Sequence, residues 1–180
     1  KRISRNHTCS PLLHAARRQV LGDHVKQAGS YVGPDRLRFD FTHFEGVTPE
    51  QLAEVERVAN EQIMNAVPMS TYETSLDAAR ESGVTALFGE KYGDIVRVVD
   101  MGGYSVELCG GAHLKNTAQV GSFKIVSENG VASGVRRIEA LTGEGALKHY
   151  QSEETALKEI CAMLKTNPDN MLKRLGDIIK

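Results

Sequence analysis

The chain has 180 residues, 41% hydrophobic and 25% charged, which is the composition of a water-soluble globular protein. No apolar run approaches the roughly 20 residues that a membrane span needs, so we expect no membrane partner. With 22 basic and 23 acidic residues the net charge is −1, which excludes attraction of DNA or RNA by overall charge. Any RNA contact must therefore depend on local clusters, for which the candidates are Arg17-Arg18, Lys115, Lys124 and Arg136-Arg137.

The three cysteines predict the compartment. An odd number in a chain of this length argues against a disulfide framework and favours a reducing environment, so we expect a cytoplasmic protein. The chain opens with Lys1-Arg2 and has neither an initiator methionine nor an apolar leader, and we therefore expect a piece of a longer protein.

The first predicted helix begins at Ser10. A serine followed by proline is typical of a helix start, with Ser10 as the N-cap and Pro11 at the first helical position. Gly22 is the expected stop. This prediction leaves His7 in the segment that precedes the helix.

A hairpin and a long helix follow. Alternating apolar residues predict a strand over residues 36–42, and residues 27–32 are its expected partner across Gly33-Pro34. The segment Thr48-Pro49-Glu50-Gln51 has the pattern of a capping box and opens an amphipathic helix that ends before Pro68.

The second half alternates between short strands and helices. Expected strands are 69–75, 95–99, 104–108, 122–127 and 135–141, with a short helix over 76–82 closed by Gly83 and a turn at Glu128-Asn129-Gly130. A long helix from Glu144 is broken near Asn167-Pro168, and another begins over 169–180. This order predicts an α+β fold with an antiparallel sheet, organised as a domain over 1–143 and a helical tail over 144–180 that leads to a further domain.

The segment Glu107-Leu108-Cys109-Gly110-Gly111-Ala112-His113 contains the strongest chemical signal. A thiolate and an imidazole that flank a short turn can bind one zinc ion, and the two glycines let the chain fold back. His7 is the candidate third ligand. Three protein ligands are typical of a catalytic zinc with one open position and not of a closed structural site.

A fourth ligand is not evident. Pro11 stands four residues after His7, where a second imidazole would complete the pair, and proline cannot bind metal. His14 would lie roughly 10 Å from His7 along a helix, so we expect it to be a partly buried residue hydrogen-bonded to a neighbour. We assign Cys9 to packing, Cys161 to the core or an interface, and His24, His43 and His149 to the surface.

Several motifs in order resemble one family. They are Arg5-Asn6-His7 with Leu12-Leu13-His14, Arg38-Phe39-Asp40-Phe41, Leu87-Phe88-Gly89-Glu90-Lys91-Tyr92-Gly93-Asp94, the 107–113 segment, and Gly134-Val135-Arg136-Arg137-Ile138-Glu139. Over about residues 3–143 the chain resembles the editing domain of alanyl-tRNA synthetases, to which the trans-editing proteins of the AlaX type are related. The tail is similar to the helical segment that leads to the C-terminal domain of the full synthetase.

The resemblance implies a hydrolase that cleaves the ester joining serine or glycine to alanine tRNA. It implies zinc held by a His-x3-His and a Cys-x3-His pair, of which His7, Cys109 and His113 match. Pro11 departs from that pattern, as does Ala112, which replaces a common threonine. Ser10 falls where the family commonly has threonine, and Gln27 and Ser30 match polar positions that line its editing pocket. These three are the expected catalytic residues. The implied partners are mischarged alanine tRNA and the remainder of the synthetase.

Three functional hypotheses stay open at this point. The first is an editing hydrolase with a three-residue zinc site. The second is a tRNA-binding or structural module that has lost its metal through Pro11, in which Ser10 only caps a helix and Ser30 only occupies a strand. The third is an editing domain of the threonyl-tRNA synthetase type, against which the Glu-Leu-Cys-Gly-Gly segment and the tail both argue.

Overall fold

The computed structural model describes residues 1–85 and 92–179, so the 87–91 part of the motif at 87–94 lies outside the described residues. The helices are α1 (Arg2–Leu21), α2 (Pro49–Met64), α3 (Leu76–Glu81), α4 (Glu144–Met163) and α5 (Met171–Ile179). The strands are β1 (Gln27–Val32), β2 (Leu37–Thr42), β3 (Ser70–Ser75), β4 (Ile95–Asp100), β5 (Val106–Leu108), β6 (Phe123–Ala132) and β7 (Val135–Thr142). Both sheets are antiparallel, which confirms the predicted α+β class.

Helix α1 begins eight residues before the predicted Ser10 N-cap and continues through Pro11, so the predicted start is wrong. Ser10 does not cap the helix, because its hydroxyl donates to the Asn6 carbonyl one turn earlier, at 3.2 Å. Tertiary bonds outweigh the local preference of proline for a helix start. The Asn6 side chain is buried, its amide nitrogen donates to the Gly33 carbonyl, and its amide oxygen accepts from the Thr142 hydroxyl. Gly22, with φ of 110°, ends the helix as predicted.

The larger sheet has the strand order β1-β2-β7-β6, and its strands β2, β6 and β7 contribute side chains to the main hydrophobic core. Strand β1 has the predicted bounds and β2 begins one residue later than predicted, at Leu37, and the β2 side chains alternate strictly between buried and half-buried. Leu37, Phe39 and Phe41 form the buried face, as their spacing predicted. Helix α2 begins with the predicted capping box at Thr48 and Gln51.

The β6–β7 hairpin turns later than predicted. Residues 128–130 continue strand β6, and the chain reverses between Ala132 and Val135, with Gly134 at a φ of 66°. Arg136 favours this longer pairing, because it makes two hydrogen bonds to Glu128 across the hairpin, at 2.6 and 2.8 Å. The predicted turn at Glu128-Asn129-Gly130 is therefore wrong.

The smaller sheet has the strand order β3-β4-β5, and the 109–113 segment follows its last strand. Strand β5 ends at Leu108 and delivers Cys109 to the sheet end, as its alternation predicted. The tail consists of α4 and α5, separated by a 3₁₀ turn at Pro168–Asn170, and Cys161 is buried on α4. Within the described residues, no helix is long and apolar enough to cross a membrane.

Arg17 is not available for RNA, contrary to its place among the candidate clusters. Its side chain is fully buried, with the guanidinium carbon 3.9 Å from the centre of the Phe39 ring and 4.5 Å from that of Phe41. Burial lowers the pKa of Arg17 to about 9. The periodicity of α1 places this arginine among the core residues, and its cation–π contacts partly replace the lost hydration.

Candidate metal centre and its pocket

Three side chains from distant parts of the sequence meet between α1 and the end of β5. The candidate ligand atoms of His7, Cys109 and His113 lie within 4.8 Å of one another, a group that could hold a metal ion. The Cys109 sulfur is 3.4 Å from Nε2 of His7. Donor atoms bound to one tetrahedral zinc lie roughly 3.3–3.7 Å apart, so this spacing suits that ion.

His113 is oriented by Thr8. The Thr8 hydroxyl is fully buried, lies 3.3 Å from Nδ1 of His113, and accepts the backbone N–H of Leu114 at 3.0 Å. The other ring nitrogen, Nε2, is buried and has no hydrogen-bond partner among the described residues. A buried imidazole nitrogen without a partner is costly unless a ligand occupies it, and this arrangement resembles the outer-shell support of metal-binding histidines. The residues present therefore fit a metal ion.

Gly111 makes room for His7. A Cβ atom at Gly111 would lie 1.7 Å from Cε1 of the His7 ring, whereas a Cβ at Gly110 would meet nothing within 4 Å. The His7 ring stacks on His113, with ring centres 4.4 Å apart. Of the two glycines, it is thus Gly111 whose missing side chain allows the imidazole to approach the turn.

The local electrostatics favour the metal-binding protonation states. Burial is the main cause that lowers the pKa of His7, and the nearby charge of Arg97 lowers it further. Burial raises the pKa of Cys109, but the neighbouring His113 imidazole and the Gly111 amide outweigh this effect, and the net pKa is lowered. Zinc binds a thiolate and a neutral imidazole, which are the forms that these shifts favour.

The three ligand candidates line a pocket together with the predicted catalytic residues Ser10, Gln27 and Ser30. Gln27 and Ser30 would point to opposite faces of a regular strand, since their spacing is odd. A register shift between Gln27 and Gly29 changes the alternation, so both line the same pocket. The Gln27 amide donates to the Ser30 hydroxyl at 3.4 Å.

Pro11 also lines the pocket, one helical turn after His7. The sequence placed His7 before the helix, but the structure places both residues on the same face of α1. Residues four apart on a helix have Cβ atoms about 5–6 Å apart. Pro11 therefore occupies the position from which a second imidazole would reach the same ion.

Glu107 and Arg97 are site residues that sequence reasoning missed. Glu107 lines the pocket and lies 3.2 Å from Nδ1 of His14, which confirms that His14 is a buried residue with a hydrogen-bonded neighbour. Arg97 donates to the carbonyl of Gly111 at 2.6 Å. Glu107 alternates with Cys109 along the strand and could have been suspected, whereas nothing in the sequence pattern connects Arg97 to the turn.

The remaining histidines and cysteines lie away from this pocket. His24 is exposed, and its Nε2 lies 2.8 Å from Nδ1 of the partly exposed His43, so these two have a partner that the sequence did not indicate. His149 lies on α4 within 3.2 Å of Glu153. Cys9 is fully buried, which raises the pKa of its thiol and agrees with the packing role predicted for it.

Comparison with known proteins finds a family whose model matches the strand and turn that carry part of this site. Residues 96–139 match the family described as the threonyl and alanyl tRNA synthetase second additional domain, and this match includes both Arg97 and the Cys109–His113 turn.

Curated relatives match almost the whole chain. The chain is 60% identical over 98% of its length to an alanine–tRNA ligase of Acetivibrio thermocellus, and 53% identical over 98% to that of Alkaliphilus oremlandii. It is 56% identical over 95% of its length to the enzyme of Streptococcus mutans. In each case the chain spans 20% of the relative's own length.

Proposed function

We propose that this chain is an editing domain that hydrolyses mischarged alanine tRNA, because it is a homologue of one segment of the alanine–tRNA ligases. The ester cleaved would join serine or glycine to the tRNA. The observation that supports this function best is that His7, Cys109 and His113 converge beside Ser10, Gln27 and Ser30 in one pocket.

The chain's own ligands for zinc would be His7, Cys109 and His113. Zinc bound there would supply a Lewis acid that polarises the ester or activates a water. The chain would hold the imidazoles and the thiolate in place through Thr8 and the 109–113 turn. Three protein ligands leave one position open for substrate or water, as catalytic zinc sites require.

The polar residues of the pocket would recognise the wrong amino acid. Ser30 accepts from Gln27, so its own hydroxyl proton is free to be donated to the substrate. The Gln27 carbonyl oxygen can accept from a serine hydroxyl. Ser10 donates to the Asn6 carbonyl and keeps its lone pairs for a water or for the substrate. A site that bonds a hydroxyl discriminates against an analogue that lacks one.

The proposal includes the organisation and setting of the chain. Residues 1–143 would form the editing domain, and residues 144–180 the helical segment that leads to the remainder of a synthetase. The partners would be mischarged alanine tRNA and that remainder, in the cytoplasm. Lys115, which is exposed, is a candidate for contact with the RNA backbone.

The test is deacylation of alanine tRNA charged with serine. We expect the purified chain to release serine from it faster than from threonine tRNA charged with serine, and Cys109→Ala to reduce the rate to background. The reverse preference would identify an editing domain of the threonyl type.

Pro11 is the observation that favours a second candidate, a tRNA-binding module without hydrolytic activity. In that case alanine tRNA would bind the chain, but the purified protein would contain no zinc, and hydrolysis would stay at the uncatalysed rate after zinc is added. This combination would refute the proposed enzyme and leave the family assignment intact.

A further inference from the structure

Arg97 holds the turn between two of the metal-ligand candidates from two sides. It lies on β4, next to the strand that ends before Cys109. Its Nη1 donates to the carbonyl of Gly111 at 2.6 Å and, more weakly, to that of Cys109 at 3.4 Å. Its backbone carbonyl accepts the N–H of Cys109 at 3.0 Å.

Within residues 1–85 and 92–179, the guanidinium makes hydrogen bonds to carbonyl oxygens and not to a carboxylate. Glu73 stands directly opposite Arg97 in the β3–β4 pairing, where an ion pair would be easy to form. Among the described residues, however, Arg97 takes part in no salt bridge, and it is the carbonyl oxygens of the turn that accept its hydrogen bonds. The half-buried Arg97 guanidinium therefore makes its hydrogen bonds to the segment that carries the candidate metal ligands.

A turn with two adjacent glycines needs such support. Glycine has more conformational freedom to lose than any other residue, so Cys109-Gly110-Gly111 would sample many conformations without external contacts. The Thr8 hydroxyl fixes the far end of the segment at Leu114. Arg97 fixes the near end, and its planar guanidinium group can donate to two carbonyls at once.

We propose that Arg97 is a positioning residue for the metal centre, because it holds the 109–111 turn in the conformation that brings Cys109 and His113 to one ion. This inference rests on the proposed function in that the ion is taken to be zinc. Arg97 itself would not touch the substrate or the metal, and its contribution would be to preorganise the ligands.

The first measurement is zinc affinity by competition with a chromophoric chelator, for the wild type, Arg97→Met and Arg97→Lys. We expect Arg97→Met to bind zinc about 10-fold or more weakly, as is typical when an outer-shell partner is lost. Arg97→Lys retains the charge and one donor group, so its loss should be smaller. The matched control is Arg136→Met, which removes a strand arginine paired with Glu128 in the larger sheet and should stay within about twofold of wild type.

The second measurement is amide hydrogen exchange of residues 110–113 in the metal-free protein, which needs no zinc at all. We expect faster exchange in this segment for Arg97→Met, with unchanged exchange in β6 and β7. If the methionine variant fails to fold, Arg97→Lys provides both measurements.

The outcomes separate the two proposals. Unchanged zinc affinity in a folded Arg97→Met, or an equal loss in Arg136→Met, would overturn the positioning role. If the wild type binds no zinc, the metal part of the proposed function fails. Amide exchange then decides the role of Arg97 alone: unchanged exchange in residues 110–113 overturns it, and selectively faster exchange supports it.

Discussion

Replacing Pro11 by alanine is expected to stabilise the protein, because Pro11 lies in the interior of α1 and not at its start. Proline has no N–H to donate to the His7 carbonyl one turn earlier, and it costs about 3 kcal/mol relative to alanine inside a helix. Alanine removes two methylene groups from a buried site, which costs about 1.6 kcal/mol in transfer free energy. The expected net gain in the free energy of unfolding is therefore about 1–2 kcal/mol.

The assay is thermal unfolding of the metal-free chain, followed by circular dichroism. A gain of this size raises the Tm by roughly 2–8 °C in a protein of this length. The sign is decisive. If α1 began at Pro11, proline would stabilise the protein by reducing the conformational entropy of the unfolded chain. Replacing it by alanine would then lower the free energy of unfolding by about 0.4–1 kcal/mol. A lower Tm for Pro11→Ala would thus refute a helix that continues through this residue.

Pro11→His extends the same experiment to the metal centre, with Pro11→Ala as its matched control. Both variants restore the backbone N–H, but only histidine adds an imidazole one turn from His7, on the face that lines the pocket. We expect Pro11→His to bind zinc at least about 10-fold more tightly than Pro11→Ala. Equal zinc affinities would mean that position 11 does not face the ion.

Two further predictions concern single contacts. Gly111→Ala should weaken zinc binding about 10-fold or more, because its Cβ would displace the His7 ring. Gly110→Ala is the control and should not weaken it, because a Cβ there meets nothing within 4 Å. Chelator competition measures both affinities, and equal losses would contradict the close approach of His7 to Gly111. Asp40→Asn should lower the free energy of unfolding by no more than about 1 kcal/mol at pH 7, because Arg137 makes two hydrogen bonds to the Asp40 carboxylate in a partly solvent-exposed pair. Those bonds lower the pKa of Asp40, so their stabilisation is present above the unfolded-state pKa of about 4 and is lost as the pH falls through the lower folded-state pKa. Urea unfolding should show the difference from wild type shrinking as the pH falls below about 4, and a difference independent of pH would contradict it.

Most secondary structure followed from local patterns. The β1–β2 hairpin and the capping box of α2 were predicted because alternation, helical spacing and capping residues agree there. The start of α1 and the β6–β7 turn were wrong, because distant contacts decide both. Asn6 bonds to Gly33 and Thr142, and Arg136 pairs with Glu128, and a local pattern does not contain these partners.

The candidate site was predictable where residue types have distinctive chemistry. The thiol and imidazoles of His7, Cys109 and His113 were singled out, and the structure brings them together. The support around them was not predictable. Arg97 and Thr8 act through a backbone carbonyl and a hydroxyl contact that many surface residues could equally make, so their roles depend on the fold. The bulge that turns Gln27 toward Ser30 likewise has no sequence signal.

The central claim is that His7, Cys109 and His113 hold a catalytic zinc although position 11 is proline. The most direct measurement is the rate of serine release from alanine tRNA by the metal-free chain as zinc is added stepwise. We predict that the rate rises linearly and levels off at one zinc per chain, and that Cys109→Ala shows no rise. A rate that stays at the uncatalysed level at every zinc concentration would contradict the account.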